Sequence, residues 1–167
     1  MPRHLVCKLY AVASKSAKTR HGGFFDDLVR CETRLYNAVG ETLRAEHGIG
    51  TSQFEFLRYL RDHPGARVAD IATAFAAGVG AISKGGDRLV AAGWAFRSPN
   101  PADGRSSLLS LTSAGEVLVA EAEETFDRRL DELISSVVDP GDLEVARSAL
   151  SELRRAFEAN RVGLPIG

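Results

Sequence analysis

The sequence predicts a mainly α-helical fold with one small β-hairpin, and three observations support this prediction. Apolar residues recur at spacings of three and four over most of residues 24–160, which is the period of an amphipathic helix. Two short apolar segments, 94–97 and 107–111, flank a polar turn with two prolines and an Asp-Gly pair, a pattern typical of a hairpin. Alanine, leucine, arginine and glutamate, which favour helices, are frequent throughout.

The composition is that of an ordinary globular protein. Hydrophobic residues make up 44% and charged residues 26% of the chain. A chain of 167 residues with this hydrophobic content can bury one core. Cys7 and Cys31 form no CxxC or Cys/His cluster, so neither a disulfide framework nor a zinc ribbon is expected. No apolar run approaches the ~20 residues of a membrane helix, and Lys8 interrupts the apolar stretch near the N-terminus. We therefore expect a cytoplasmic protein that does not associate with membranes.

The charge is unevenly distributed, although the net charge is only −1. Residues 1–22 carry five basic side chains and no acid, residues 61–112 carry six basic and four acidic side chains, and residues 113–160 carry five and twelve. A polyanion would be attracted to the first two segments and repelled by the third. For any single charge, a solvated surface remains the simpler interpretation.

The N-terminal part is predicted to contain a basic arm and a long helix. Residues 1–22 form the arm, part of which could be helical, and it ends at Gly22-Gly23. The helix covers 24–47 and ends at Gly48, since glycine often follows a helix C-terminus.

A second helix is expected to follow almost directly. Thr51 and Ser52 can cap its N-terminus, and Pro64-Gly65 ends it.

Two short helices, 67–76 and 79–92, are predicted next, joined by a tight turn at Ala77-Gly78. Their expected inward faces are Val68, Ile71, Ala72 and Phe75 in the first, and Val79, Ile82 and Leu89 in the second. Two short helices, a glycine turn and a small residue at the crossing point are typical of a helix-turn-helix, although other helical hairpins can show this pattern.

The hairpin that follows makes the prediction more specific. A helical pair followed by a strand, a basic turn and a second strand is the order of a winged helix. Thr112 is a natural N-cap for the next long helix, and Glu116 lies where the helix dipole favours an acid. The sequence therefore predicts a winged helix-turn-helix.

The C-terminal part is predicted to form two helices. The first carries an apolar stripe and is broken at Asp139-Pro140-Gly141; its stripe is Leu118, Ala122, Phe126, Leu130, Leu133, Ile134 and Val137. The second repeats Leu143, Ala146, Leu150, Leu153 and Phe157 at spacings of three and four. Such a stripe outside the winged core needs a partner, which could be the same chain. We favour pairing with a second subunit.

Taken together, these segments resemble the MarR (multiple-antibiotic-resistance repressor) family from about Phe24 to Asn160. The wing and its exit follow the family's D-x-R … L-T-x-x-G pattern, as Asp103-Gly104-Arg105 and Leu111-Thr112-Ser113-Ala114-Gly115. The opening of the family's second helix is similar to Thr51-Ser52-Gln53-Phe54. The end of its recognition helix and the step into the wing are similar to Asp87-Arg88-Leu89 and Ala92-Gly93-Trp94.

The resemblance implies a domain organisation and a function. Residues 1–22 would be the basic arm, 23–160 the MarR-like domain and 161–167 a C-terminal tail. Within the domain, 24–50 and 113–160 would be dimerisation helices, and 51–112 the winged helix-turn-helix DNA-binding lobe. The implied function is a transcriptional regulator, a repressor released by a small-molecule effector, that binds a pseudo-palindromic operator in double-stranded DNA as a homodimer.

DNA contacts are expected on the helix 79–92, which would enter the major groove, and on the wing. Ser83 and Lys84 can donate to base edges or phosphates, although the Ser83 hydroxyl could instead bond its own helix. Arg105 suits a narrow, negative minor groove, and Asp103 is expected to hold Arg105 or Arg97 in place. The full set of candidate DNA-binding residues is Ala81, Ser83, Lys84, Arg88, Arg97, Asp103 and Arg105.

Gly85-Gly86 departs from the family pattern, which has bulky apolar residues in the middle of the recognition helix. Each glycine costs about 1 kcal/mol relative to alanine in a helix interior. Either close packing against the first helix of the pair requires these glycines, or the helix is soft and orders fully only on DNA.

Many members of the family respond to small aromatic or phenolic ligands that bind between the dimer helices and the DNA-binding lobe. The candidate effector-binding residues here are Tyr36, Arg44, His47, Phe54 and Arg58. The same residues could be ordinary core and surface, which is the simpler interpretation.

Other functions are less well supported. Cys31 could sense hydroperoxides, as an N-terminal cysteine does in one branch of the family, but its spacing does not match that branch. A winged helix that binds protein instead of DNA is a further alternative, against which the basic wing tip argues. The sequence contains no Ser/His/Asp order, phosphate loop or dinucleotide fingerprint, so neither an enzyme nor a cofactor is expected. Metal sensing is not expected because His4, His21, His47 and His63 are scattered.

Overall fold

A computed structural model of the chain describes residues 19–165, which form six α-helices and three β-strands. In chain order the elements are α1 (Arg20–His47), α2 (Thr51–Asp62), β1 (Ala66–Arg67), α3 (Val68–Ala74), α4 (Val79–Ala91), β2 (Ala95–Pro99), β3 (Ser107–Leu111), α5 (Ser113–Ile134) and α6 (Pro140–Ala159). This order is the predicted one, with one additional strand, and it confirms the mainly α-helical fold with a small wing.

The described residues divide into two units between Tyr36 and Asn37, and α1 crosses this boundary. The described part of the first unit, 19–36, is helical from Arg20 onward. The second unit contains every strand and every other helix of the described residues.

Helix α1 begins earlier than the sequence suggested. The Thr19 hydroxyl accepts a hydrogen bond from the Gly22 amide at 3.1 Å, and the Thr19 carbonyl accepts one from Gly23 at 2.9 Å. A threonine cap therefore starts the helix, and Gly22-Gly23 lies inside it. Residues 1–18 of the predicted basic arm lie outside the described residues, while Arg20 to Gly22 are helical.

The junction between α1 and α2 uses glycines. Gly48 ends α1 with a positive φ of 70°, as predicted. The N-cap of α2 is Gly50, whose amide donates to Oε1 of Gln53 at 3.0 Å. The expectation that Thr51 or Ser52 caps this helix is therefore wrong, because Thr51 is its first helical residue and is buried against α1. A Cβ on Gly40 of α1 would lie only 2.6 Å from the Thr51 hydroxyl.

The wing belongs to a three-stranded antiparallel sheet with the order β1-β3-β2. In β2–β3, Ala95 pairs with Leu111 and Pro99 with Ser107. The strand β2 is shifted from the predicted 94–97 to 95–99, whereas β3 has the predicted bounds. Strand β1 was not predicted because its two residues are too few to show alternation; it adds Ala66 and Arg67 to the free edge of β3.

The turn between α3 and α4 is made one residue earlier than predicted. Ala76 has the positive φ, 46°, and the Ala77 amide donates to the carbonyl of Ala72 at 2.9 Å. Ile71, Ala72, Ile82 and Leu89 are buried as expected. Two expected core residues are not: Val79 is 57% exposed and Phe75 is 36% exposed.

The hydrophobic core lies within the second unit and joins the end of α1, α2, the helix-turn-helix, the sheet and the first half of α5. Its fully buried large members are Phe54, Leu43, Ile49, Leu57, Leu60, Ile71, Leu89, Leu109, Val39 and Val119. On α5 the inward residues are Gly115, Val119, Ala122 and Thr125, and the helix ends at Ile134 instead of at Asp139.

Helix α6 lies outside this core. Asp139 caps it through the Gly141 amide at 2.8 Å, and Pro140 occupies its first turn, so the Asp-Pro-Gly sequence begins this helix. No residue of α6 is buried within the chain. The alternative that its apolar stripe packs onto its own domain is therefore not observed.

Candidate nucleic-acid interface

Helix α4 has one outward face that carries three of the seven predicted contact residues. Ala81, Lys84 and Arg88 follow each other at spacings of three and four and are all exposed. The opposite face buries Ile82, Gly86 and Leu89. Ser83 lies between the two faces and is half-buried.

The glycine pair of α4 is explained by close packing on two sides. A Cβ on Gly85 would lie 3.0 Å from Cε1 of Phe56 on α2, and a Cβ on Gly86 would lie 3.0 Å from Cδ1 of Leu109 on β3. Both distances are shorter than ordinary van der Waals contact. Of the two explanations offered for the glycines, close packing fits the structure, but the neighbours are α2 and the wing, not the first helix of the pair.

The wing tip is a turn organised by its own side chains. Oδ1 of Asn100, which is buried, accepts from the Ala102 amide at 3.0 Å, and the Asn100 amide group donates to the Ser106 hydroxyl at 2.9 Å. Oδ1 of Asp103 accepts from the backbone amide of Arg105 at 3.0 Å. Asp103 therefore fixes the backbone at Arg105, as an Asx-type turn does, and Arg105 is exposed.

The acid that pairs with Arg97 is Asp87, not Asp103. Nη2 of Arg97 donates to Oδ1 of Asp87 at 2.8 Å, and its Nη1 donates to the Ser107 hydroxyl at 2.8 Å. Asp87 could not be recognised from the sequence as the partner of Arg97, because the pairing joins a helix to a strand ten residues later and has no local signature.

Three of the six basic side chains between residues 61 and 112 are neutralised by acids. Arg61 pairs with Glu123 and Asp62, Arg67 with Asp70, and Arg97 with Asp87. Within residues 19–165, the remaining three make no ion pair: Lys84, Arg88 and Arg105. The unpaired positive charge therefore lies on the outward face of α4 and at the wing tip.

The candidate effector residues differ in burial and lie on different elements. Tyr36 belongs to the first unit and is 41% exposed, and Arg44 is exposed on the second unit. Phe54 is fully buried and packs on Phe126 of α5, with ring centroids 4.9 Å apart. The Arg58 guanidinium lies over both rings, 5.4 Å and 5.2 Å from their centroids.

Arg58 also takes part in a charged cluster with Glu123 on α5. Its Nε lies 3.4 Å from Oε1 of Glu123, while Arg61 donates to both carboxylate oxygens of Glu123. Hydrogen bonding to Arg61 lowers the pKa of Glu123, against the opposing effect of burial. The cluster holds α2 to α5 beside the two aromatic rings.

His47 contacts α5 through a second polar cluster. The buried Thr125 hydroxyl donates to Glu46 at 3.0 Å, so the Nε2 of His47, 2.9 Å from the same oxygen, must be a donor. Arg128 donates to Glu46 at 2.8 Å, and this bond is the largest cause of the lowered pKa of Glu46. Glu46, Thr125 and Arg128 were not singled out from the sequence.

Other candidate chemistry has little structural support. Cys31 is an exposed thiol on α1, and the neighbouring Arg30 is paired with Asp26 at 3.0 Å. Residues 19–165 contain no group of three or more His, Cys, Asp or Glu side chains arranged to hold a metal ion. In the same part of the chain, no helix has the length and apolar character needed to cross a membrane.

The chain resembles one protein family in sequence over about a third of its length. Residues 47–106, from the end of α1 to the wing tip, match the model of the MarR family. A sequence comparison with curated proteins gave no match.

Solved structures of MarR-family regulators share the fold. MarR from E.coli, a mutant complexed with operator DNA, is 22% identical, with a TM-score of 0.70 over 77% of this chain and 91% of that chain. Sco3205, a MarR family transcriptional regulator from Streptomyces coelicolor in complex with DNA, is 17% identical, with a TM-score of 0.76 over 88% and 94%. BpsR from Bordetella bronchiseptica, whose DNA binding is regulated by 6-hydroxynicotinic acid, is 23% identical, with a TM-score of 0.71 over 79% and 98%. These likenesses confirm the predicted winged-helix fold.

Proposed function

We propose that this chain is a DNA-binding transcriptional regulator of the MarR family that acts in the cytoplasm as a homodimer. The fold supplies a helix for the major groove and a wing beside it, the arrangement that winged-helix proteins use on duplex DNA. The proposal extends to a repressor that binds a pseudo-palindromic operator and is released by a small effector.

The location of the unpaired basic side chains is the main support for DNA binding. Lys84, Arg88 and Arg105 are exposed and make no ion pair within residues 19–165, whereas the other basic residues of the lobe are neutralised. Lys84 and Arg88 would meet bases or phosphates in the major groove. Arg105, on a turn whose backbone Asp103 fixes, would enter the minor groove.

Ala81 and Ser83 complete the proposed reading surface. Ala81 is exposed beside Lys84 and offers a methyl group that can contact thymine. Ser83 is half-buried, and its hydroxyl can reach a base edge or a phosphate. Both small residues let the helix backbone approach the floor of the groove.

The homodimer is proposed from the apolar stripe of α6. Leu143, Leu150, Leu153 and Phe157 lie on one side of this helix and are 38–49% exposed, although they repeat at the spacing of a packed interface. A second copy of the chain is the occupant we propose, because a symmetric pair of winged helices matches a two-fold operator.

A small aromatic anion is the effector that the α2–α5 junction would suit. Arg58 lies over the Phe54 and Phe126 rings and is 3.4 Å from Glu123, so a ligand with a ring and a carboxylate could compete for the same guanidinium. BpsR, which shares the fold, is regulated by a ligand of this chemical class. We propose Arg58 as the anchoring residue, with His47 and Arg44 at the end of α1 as further candidates on the same unit.

Two experiments test these proposals separately. Fluorescence anisotropy with a duplex from the gene's own upstream region should show tighter binding than with a random duplex of equal length, and affinity should fall steeply with salt. Equal affinity for both duplexes would rule out the regulator. A panel of aromatic carboxylates, 6-hydroxynicotinic acid among them, should raise the melting temperature and release the DNA, and Arg58→Gln should abolish both effects. If no compound changes either quantity, the effector proposal fails while the DNA-binding proposal stands.

A further inference from the structure

One arginine joins the wing to the recognition helix. Arg97 on β2 donates through Nη2 to Oδ1 of Asp87 at 2.8 Å and to the carbonyl oxygen of Ser83 at 3.4 Å, both on α4. Its Nη1 donates to the hydroxyl of Ser107 on β3 at 2.8 Å. A single planar guanidinium therefore links both strands of the hairpin to the helix. A lysine ammonium is compact and lacks the rigid fork of donors that this arrangement uses.

Gly86 makes this arrangement possible. A Cβ at this position would lie 3.4 Å from Nη2 of Arg97 and 3.0 Å from Cδ1 of Leu109. The hairpin can therefore lie directly against the helix backbone, and Arg97 reaches the Ser83 carbonyl and the Asp87 carboxylate on either side of the glycine.

An unpaired carboxylate at the position of Asp87 would be unfavourable for DNA binding. Asp87 lies between Gly86 and the exposed Arg88, and its side chain is 63% exposed. A carboxylate at this place would repel phosphates. Pairing with Arg97 neutralises it and at the same time occupies the guanidinium.

We propose that Asp87 and Arg97 are positioning residues that set the orientation of the wing relative to α4, and that Arg97 does not bind phosphate. This inference rests on the proposed DNA-binding function and assigns Arg97 a different role from the DNA contact expected from the sequence. Because the ion pair is partly exposed, with side chains 27% and 63% accessible, its loss should hardly change the unfolding midpoint.

Four variants of the full chain test this proposal: Asp87→Asn, Arg97→Gln, Arg97→Lys and the Asp87→Asn/Arg97→Gln double variant. Each single change should weaken binding to the upstream duplex by about tenfold, and the double variant should be no weaker, since both changes remove one shared interaction. Asp87→Asn is the most informative, because it removes a negative charge from the DNA side and should nevertheless reduce affinity. Arg97→Lys should not restore binding, although it keeps the charge.

The salt dependence of binding separates a positioning residue from a phosphate contact. Arg97→Gln should leave the slope of log affinity against log salt unchanged, whereas the control Arg105→Gln should reduce it by about 1. Tighter binding by Asp87→Asn, or a slope reduced by about 1 in Arg97→Gln, would overturn the proposal.

A measurement on the free protein keeps the proposal testable if the wild-type chain shows no preference for any duplex. In that case the proposed DNA-binding function is wrong. Hydrogen exchange of the hairpin amides then tests whether the Asp87–Arg97 pair positions the wing. Faster exchange, to the same extent in Asp87→Asn, Arg97→Gln and the double variant, would support its positioning role. Unchanged exchange in all three would overturn it.

Discussion

Gly115, at the start of α5, lies against the carbonyl group of Trp94. A Cβ on Gly115 would be 2.0 Å from that carbonyl oxygen, which also accepts a hydrogen bond from the Thr112 amide at 3.0 Å. The Thr112 hydroxyl donates to the Gly93 carbonyl at 2.7 Å and accepts from the Gly115 amide at 3.1 Å. The Thr-x-x-Gly sequence after the wing therefore joins the N-terminus of α5 to the residues that follow α4.

Gly115→Ala should lower the free energy of unfolding by about 2–4 kcal/mol, because the added methyl group collides with backbone that cannot move without breaking the Thr112 bonds. Urea denaturation measures this change. The matched control is Gly23→Ala, inside α1, where nothing lies within 4 Å of the added Cβ. That variant should be unchanged or more stable by up to about 1 kcal/mol. A Gly115→Ala protein as stable as the wild type would show that the junction is not constrained in this way.

The Arg61–Glu123 pair should make part of the stability depend on pH. Arg61 lowers the folded-state pKa of Glu123 below its unfolded value of about 4.3, so the contribution is present above that pH and is lost as the pH falls through the lower folded pKa. At pH 7, Glu123→Gln should cost about 1 kcal/mol, a value reduced because the side chains are 34% and 29% exposed. In urea titrations the cost should shrink as the pH falls below about 4.3 and through the lower folded-state pKa.

The control for this pH dependence is Glu144→Gln on α6. The pKa of Glu144 is also lowered by Arg147, but the two side chains are 63% and 69% exposed, and solvent screens the pair. The free energy of unfolding of Glu144→Gln should equal that of the wild type at every pH. A Glu123→Gln cost that does not change with pH would contradict the assignment of the ion pair.

Leu150→Glu should convert the protein to a monomer at micromolar concentration, because a carboxylate in the centre of the α6 stripe would be buried without a partner. Sedimentation velocity measures the change. Val145→Glu is the control, since Val145 is 70% exposed and lies off the stripe. If the wild type sediments as a monomer, or both variants remain dimers, the α6 interface is wrong.

The two proposed reading elements should respond differently to truncation. Arg105→Ala should weaken binding to most sequences by a similar factor, because the minor groove carries little sequence information. Lys84→Ala should also change which base is preferred at one position of each half-site. Binding of a randomised duplex library followed by sequencing measures both effects, with Arg155→Ala on α6 as the control. Unchanged affinity in Arg105→Ala would contradict the role of the wing.

The sequence predicted the fold well where the signal is local. The hairpin, the Thr112 cap and the Gly48 helix end depend on neighbouring residues and are present in the structure. The start of α1 was missed because Gly22-Gly23 was interpreted as a break, whereas the Thr19 cap and the following helix tolerate both glycines.

The exposed face of α4 was predictable from the sequence, but the ion pairs around it were not. The outward face of α4 follows from helical spacing, so Ala81, Lys84 and Arg88 could be named from the sequence. Which arginines are neutralised depends on contacts between separate elements, such as Arg97 with Asp87 and Arg61 with Glu123. Such contacts leave no trace in the spacing along the chain.

Hydroxyl-radical footprinting of the upstream duplex, combined with native mass spectrometry of the complex, tests whether the chain binds DNA as a homodimer through α4 and the wing. A homodimer that uses α4 and the wing should form a complex of two chains per duplex, and protect two half-sites related by a two-fold axis, with centres about 10–10.5 base pairs or a multiple apart. Cleavage should also fall in the minor groove flanking each half-site, and this outer protection should be lost in Arg105→Ala. One chain per duplex, or a single uninterrupted footprint without two-fold symmetry, would rule out this mode of binding.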